Sequence, residues 1–474
     1  MSAEARLPIL GLSDPLNAPT GFGRVARELF TRLPQDRLRL GHLSRGWIGS
    51  RRFAGIQTYS ADWQDVVCAD AFPVAAADFG LPLVLWTLLD PWQTGWLSHP
   101  ERNAYATERS RRFLRDHRGQ IVWIGHYPID GEGPRDGPAL WVEDFLRGPD
   151  VVVLMTEWAR KLVAPLLPDR DVRVISHAVD VARYYPGDGE AAKAQLEEAY
   201  ARRMLEVVRA LRPGADESEQ RAEAEARTFR LRDRYVVLAV MANRARKYWP
   251  DVLRAFAALS QRVPTARLIG LCGDPAGNTD DSWPLLELCR QWGLRPAGAP
   301  DVRDPNVLLL DVVGGPPEAE DDALRLLYQA ADVAVLLSGG EGFGLPQLEA
   351  HACGRPCLVG GYSASAELAV DPRETIAPRG FSYVGNNMVR RPVYAWQDLV
   401  DRLMYAARHP GWRREVGAAG VAQARARSWE RILPEWLRLF AQAGARIRPT
   451  EEAIPDAQSA EAVAAAGLAG GPPA

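Results

Sequence analysis

Short apolar runs alternate with amphipathic stretches along most of the chain. "LPILGL", "LPLVLWTLLD", "QIVWIGHYP", "DVVVLMT" and "VRVIS" come first, and "YVVLAVMA", "ARLIGLCG", "NVLLLDVV", "DVAVLLSG" and "PCLVGG" follow later. Runs this short and this continuously apolar predict strands buried on both faces, as in parallel sheets. Helical patterns separate most of them, so the fold class expected is α/β with parallel sheets. The run "LPLVLWTLL" falls far short of the ~20 residues that a membrane span needs and predicts a strand.

A different segment, residues 188–230, separates the two sets. It is rich in Ala, Glu and Arg, and Leu196, Tyr200, Met204, Val208 and Leu211 share one helical stripe until Pro213-Gly214 breaks it. The stripe predicts a helical excursion packed on one domain, with an oligomer or partner contact as the other reading. Residues 448–474 turn to Ala, Gly, Pro and Glu, which predicts a disordered tail. A chain of 474 residues exceeds what one core usually serves, so two domains are expected, over 1–187 and 231–425.

Composition changes this picture little. A net charge of −3 gives no global signature of a nucleic-acid binder. Cys68, Cys272, Cys289, Cys353 and Cys357 form no C-x-x-C pair and are odd in number, so neither a disulfide framework nor a zinc site is expected and a reducing cytoplasm fits. The N-terminal "MSAEARLPIL" lacks the long apolar stretch of a secretory signal. One basic run, "ERNAYATERSRRFLRDHRG", carries Arg102, Arg109, Arg111, Arg112, Arg115 and Arg118. It reads as a solvated helix face, or as a contact for anionic lipid heads or nucleic acid, with too few apolar residues for deep membrane insertion. Trp86, Trp92 and Trp96 are either core or a stacking surface for an acceptor.

Two glycine-rich loops carry the candidate chemistry. In "SDPLNAPTGFGRVARELF", Gly21 and Gly23 precede a helix with an inward face of Val25, Ala26, Leu29, Phe30 and Leu33. Such a turn presents backbone N–H groups and the positive end of the helix dipole to an anion, or serves packing alone. Gly21, Gly23 and Ala26 also match G-x-G-x-x-A, but "SDPLNAPT" intervenes after the strand and the second strand, "RLRLGHLSRG", ends in no acid, which argues against a dinucleotide site. The second loop, in "DVAVLLSGGEGFGLPQLEAHACG", reads as strand, glycine loop and helix, with Pro346 in the first turn. Glu341 lies at the carboxyl end of the strand, the rim where α/β sheets bind ligands. Glu349 follows within the helix, after seven intervening residues. Two carboxylates suited to paired hydroxyls, with loop N–H groups between them, fit a ligand with two polyol ends and phosphates in the middle. Taken alone, Glu349 also reads as a solvated acid favourable near a helix N-terminus.

The stretch "EGFGLPQLE" resembles the signature of retaining family 4 glycosyltransferases. Other pieces occur in that family's order: "DVVVLMTEWARKLV", "VRVISHAVDVARYYP", "NRARKYWPDVLRAFAAL" and "SWERILPEWLRLF". The resemblance runs roughly from residue 8 to 445, with 188–230 as an insert. It implies the GT-B fold, two Rossmann-like domains with parallel sheets facing across a deep cleft, and a closing helix, 426–447, that returns to the first domain. It further implies that Glu349 holds the nucleotide ribose and Glu341 contacts the donor sugar. The N–H groups of Gly342, Phe343, Gly344 and Leu345 would line the sugar and diphosphate. Lys247 would neutralise the diphosphate, and Gly21 and Gly23 would face it. His126, in "IGHYPIDGEG", takes the place of a histidine near the donor sugar, with Tyr127 and Asp130 as neighbouring rivals and a structural histidine as the other reading. Where the family has Gly-Arg before the lysine loop this chain has Met241-Ala242, so Arg244 or Arg246 would supply the arginine. Ala178 replaces the glycine of H-G-V-D.

The function implied is retaining transfer of a sugar from a UDP- or GDP-sugar to an acceptor hydroxyl, with catalytic His126 and Glu341. No D-x-D pair ends a convincing strand, so no obligatory metal or other cofactor is expected. The acceptor stays open among glycan, lipid, small molecule and modified nucleic-acid base, and peripheral membrane contact and oligomeric state stay open with it. The alternative is a GT-B-like nucleotide-binding or scaffold subunit with impaired catalysis, for which the altered Met241-Ala242 pair leaves room.

Overall fold

The computed structural model describes residues 6–46, 49–299, 301–310 and 317–447. The tail expected to be disordered, 448–474, lies outside the described residues. The chain divides into two compact units. One takes in Met1–Ala178, Tyr383–Arg390 and Arg427–Ala474, and the other Val179–Ser382 and Arg391–Ala426.

The first unit is built on eight strands: β1 (Leu7–Ser13), β2 (Leu38–Ser44), β3 (Arg52–Phe53), β4 (Ile56–Ser60), β5 (Leu83–Leu88), β6 (Ile121–Tyr127), β7 (Val151–Leu154) and β8 (Asp171–Val174). Their order is β3-β4-β2-β1-β5-β6-β7-β8, and every pair is parallel except β3–β4. All residues of β1, β5, β6 and β7 are buried, which is why they read as unbroken apolar runs. Trp86 and Trp96 are core, whereas Trp92 is half exposed beside Tyr105. The helix Trp429–Ile447 belongs to this unit. Its Trp436 packs with ring centroids 6.0 Å from Trp86 and 4.9 Å from His126. The basic run forms the helix Glu108–His117 and its flanks, where Arg102, Arg109, Arg115 and Arg118 pair with Asp144, Asp70, Glu101 and Asp150. Four of its six arginines thus face acids, three of them from other segments.

The second unit holds a parallel sheet of β9 (Tyr235–Val240), β10 (Ala266–Leu271), β11 (Val307–Leu310), β12 (Val333–Leu336), β13 (Cys357–Gly360) and β14 (Thr375–Ile376). The order is β11-β10-β9-β12-β13-β14. Chain direction across the sheet reverses between β9 and β12, and the loops that follow those two strands open at this switch point. The expected excursion forms two helices of this unit, Gly189–Leu211 and Glu217–Arg227. Met204, Val208 and Ala224 make a small core between them, with Tyr200 and Leu205 packed on it. Leu211, read as part of the stripe, is 64% exposed because the helix ends there. A further hairpin, β15 (Gly380–Val384) and β16 (Val389–Val393), had no signal as a strand pair in the apolar pattern because its residues are mostly exposed or half-buried.

Three histidines lie buried in the first unit. His42 bridges Ser13 and Ser44 through its two ring nitrogens at 3.1 Å each. Burial drives His42 and His177 down to about 3, and burial followed by the charge of His177 drives His126 well below the ordinary imidazole range. In the unfolded chain each ring takes a proton near pH 6.5. Below about pH 6.5 the unfolded state therefore binds more protons, and stability falls until the folded rings themselves protonate, near pH 3 for His42 and His177. Each residue contributes at most about 1.4 kcal/mol of loss per pH unit in that window. Denaturant titrations should show stability dropping by about 3 kcal/mol from about pH 6.5 to 5.5, about 1 kcal/mol for each ring, before most carboxylates titrate. A flat profile over that range would contradict neutral burial of these rings.

Candidate active site

Two loops at the switch point are joined backbone to backbone. The loop after β9 runs through Lys247 into the helix Trp249–Arg262, and the loop after β12 runs through Glu341 into the helix Leu345–Ala352. Gly339 N–H donates to Arg246 C=O at 2.8 Å, and Tyr248 N–H donates to Leu337 C=O at 3.1 Å. Lys247 and Ser338 form an isolated antiparallel bridge between them. Arg246 Nη1 adds a bond to Gly340 C=O at 2.8 Å. This short zipper fixes where the side chains of residues 246 and 247 meet the acid loop.

Glycine is needed in that loop for two separate reasons. Gly344 takes φ +104° as the N-cap of the helix, a conformation that L side chains rarely adopt. A Cβ on Gly339 would sit 3.0 Å from the Tyr248 hydroxyl. Glu341 is then held from several directions. Its N–H donates to Ser363 Oγ at 3.0 Å, and its carboxylate pairs with Lys247 and, at 3.6 Å, with Arg246. Burial alone would push the Glu341 carboxyl up. The charges of Lys247 and Arg246, with hydrogen bonds from Lys247 and Ser338, outweigh it and hold the carboxyl below its ordinary range. One buried carboxylate facing two cations leaves a net positive charge at the loops.

Glu349 is 1% exposed, so it is not a solvated helix acid. Its Oε2 accepts a hydrogen bond from the Tyr328 hydroxyl at 3.0 Å. Burial, then the Glu349 charge, pushes the Tyr328 phenol well above its ordinary range, which keeps it a donor. Lys247 is buried, whereas Arg244 and Arg246 are exposed residues. Arg244 lies 3.8 Å from Asp281, and it is Arg246 that reaches Glu341. Of the Met241-Ala242 pair, Met241 is buried and Ala242 exposed. Gly342 and Leu345 are half-buried at the turn into the helix, and Phe343 and Gly344 are buried.

In the first unit, Gly21 and Gly23 open the helix Gly21–Arg32, capped by Thr20, whose Oγ1 accepts from Gly23 N–H. A Cβ on Gly23 would meet the Pro15 carbonyl at 2.5 Å, so packing and capping account for that glycine. Gly21 has open space at the same position. His126 is 1% exposed near the end of β6, among Trp86, Trp436 and His177. Neither of its ring nitrogens has a hydrogen-bond partner among the described residues. Tyr127 faces a different partner, Thr94, with hydroxyls 3.0 Å apart.

Sequence reasoning missed Tyr328, Ser338 and Ser363. Ser363 is a buried non-glycine residue at φ +54°, a strained backbone that stores a constraint at the loop it bonds. Its signal was present: "VGGYS" closes β13 and turns at the same rim of the sheet as Glu341. Tyr328 had none, since it falls inside an ordinary apolar helix stripe.

Residues 306–387 match the family described as glycosyl transferases group 1. The chain is 30% identical over 282 residues to a D-inositol 3-phosphate glycosyltransferase from Salinispora tropica, a match covering 58% of this chain and 47% of that one. It is 31% identical over 279 residues to the protein of the same name from Actinosynnema mirum, covering 57% and 52%. The chain thus spans about half the length of these curated relatives. Among solved structures, a sucrose-phosphate synthase from Thermosynechococcus elongatus aligns with a TM-score of 0.63 at 18% identity, over 93% of this chain and 100% of that one. Anabaena HepE, in complex with UDP and glucose, aligns with a TM-score of 0.58 at 13% identity, over 92% and 100%. Two parallel-sheet units and these neighbours show the GT-B fold, and residues 306–387 within it match the glycosyl transferases group 1 family, in keeping with the resemblance of the sequence to family 4 glycosyltransferases.

Proposed function

We propose that this chain is a retaining, metal-independent glycosyltransferase that moves a sugar from a UDP- or GDP-sugar to an acceptor hydroxyl. The observation that carries the reading is the buried Lys247–Glu341 pair, with Arg246 beside it, at the rim that leads into the Glu349 helix. A leaving diphosphate gathers negative charge as the glycosidic bond breaks, and prepositioned cations and N–H dipoles lower that barrier. Lys247 and Arg246 take that role, with the amides of Gly342, Phe343, Gly344 and Leu345 at the positive end of the helix. Glu349, oriented by Tyr328, accepts from the ribose hydroxyls. Glu341 serves two states: it is the counter-ion of Lys247 without donor, and it turns to the sugar once the diphosphate claims the lysine. Arg244 and Gly23 have other local partners, so their parts in the donor site are secondary. The names of the relatives make inositol 3-phosphate and sugar phosphates the acceptors to assay first. Five free cysteines, all buried, suit a reducing compartment, and we place the activity in the cytoplasm.

Isothermal titration with UDP and GDP tests the roles of the charged residues. Glu349→Ala should weaken binding by about 10- to 100-fold, the scale of a lost hydrogen bond to a charged group. Lys247→Ala should weaken it comparably. Glu341→Gln should bind the nucleotide as tightly as wild type or up to about tenfold tighter, because the lysine no longer has a competing acid, while kcat falls about 100-fold. Weaker binding in Glu341→Gln than in Glu349→Ala would reverse the assignment.

Metal independence has its own test. Because side-chain cations neutralise the diphosphate, donor consumption in EDTA should match that in buffer. Loss of activity restored by Mn²⁺ would overturn this part of the proposal.

His126 is proposed to bond a hydroxyl of the transferring sugar through a ring nitrogen. A buried polar group left without a partner costs about 1–3 kcal/mol. His126→Leu should therefore raise stability by about 1–2 kcal/mol in denaturant titration and lower kcat about 100-fold. A stabilised variant of undiminished rate would make His126 structural only.

A further inference from the structure

The helix that carries Glu349 is anchored on its opposite side by a buried histidine. His351 follows Glu349 by two residues, about 200° around a helix, so the two side chains leave on different faces. His351 is wholly buried, as is Glu374, and its Nε2 lies 2.9 Å from Glu374 Oε1. Its Nδ1 lies 2.9 Å from Gln423 Oε1. Gln423 Nε2 donates to Leu368 C=O at 2.8 Å, so its oxygen is the atom facing the ring. Glu374 Oε1 also accepts from Cys357 N–H at 2.8 Å, and Oε2 accepts from Val370 N–H at 2.8 Å. His351 thus ties its own helix to two other segments, the turn before β14 and the helix Pro410–Ala426.

Packing around the ring supports a dedicated place for it. A Cβ on Gly420, in the helix Pro410–Ala426, would meet His351 Cβ and Cγ at 3.0 Å, and one on Gly417 would meet the Gly354 carbonyl at 2.2 Å. The two helices approach this closely only because those residues are glycines.

We infer that His351 is a positioning residue for sugar transfer: bonded to Glu374 and Gln423, it locks the helix Leu345–Ala352, and through that helix it holds Glu349 and the loop N–H groups in place for the donor. The inference rests on the donor-site reading of that helix. Removing the ring takes away both of these side-chain ties of the helix at once and leaves Glu374 and Gln423 each short of a partner.

The test compares the full-length wild type with His351→Ala and His351→Gln by UDP titration, steady-state kinetics and denaturant titration. In His351→Ala, UDP affinity should fall about tenfold and donor KM rise about tenfold, with kcat changed less than about twofold. His351→Gln, which keeps a polar side chain between Glu374 and Gln423, should lie between the two. A folded variant of either kind with lowered stability but wild-type UDP affinity and donor KM, or with a loss confined to kcat, overturns the inference while leaving the donor site intact. Absence of UDP and GDP binding by the wild-type protein sinks the donor-site reading, and the positioning role with it, whatever the variants show.

Discussion

The buried pairing of Lys247 with Glu341 is the constraint on which the candidate site depends. A lysine removed from water needs a partner, and removing that partner from a buried pair costs several kcal/mol. The fold supplies the acid from a loop 94 residues away in sequence. It does so by placing β9 and β12 side by side and tying their following loops together through Gly339, Tyr248 and Arg246. The pair is stable enough to assemble the site, yet the nearby Arg246 leaves the loops positively charged. An anion that brings more negative charge than Glu341 can take the lysine over. A nucleoside diphosphate is such an anion.

The same helix is then fixed on two sides by different chemistry. Toward the site, the Tyr328 hydroxyl orients Glu349. Away from it, His351, Glu374 and Gln423 bind the helix to the turn before β14 and to the helix Pro410–Ala426. Helix Leu345–Ala352 has only eight residues, too few to persist by propensity alone, so its position is set by these tertiary ties. The residues with no catalytic chemistry of their own therefore decide where the charged ones stand.

Much of this was legible in the sequence, for physical reasons that particular residues make plain. Continuous apolar runs such as "LVLWTL" mark β5 because both faces of a central parallel strand are buried. The glycine loop with Glu341 and Glu349 was legible because its turn demands glycine and its helix begins at a proline. What escaped was whatever depends on distant segments meeting. The short edge strands β3 and β14 and the hairpin β15–β16 have no two-sided burial to record. Trp86, Trp92 and Trp96 look alike in sequence, yet two are core and one faces solvent. The arginine run looked like a basic surface until the carboxylates of Asp70, Asp144 and Asp150, each from another segment, were seen beside it. Tyr328 and Glu374 sit in unremarkable contexts, and only the fold brings them to Glu349 and His351.

The central claim is that Lys247 exchanges a carboxylate for a diphosphate when donor binds. A crystal structure of the protein with UDP would test it most directly. The account predicts Lys247 Nζ within hydrogen-bond distance of a diphosphate oxygen, drawn away from Glu341, with both ribose hydroxyls on Glu349. UDP bound elsewhere, or bound here with Lys247 still on Glu341, would contradict it.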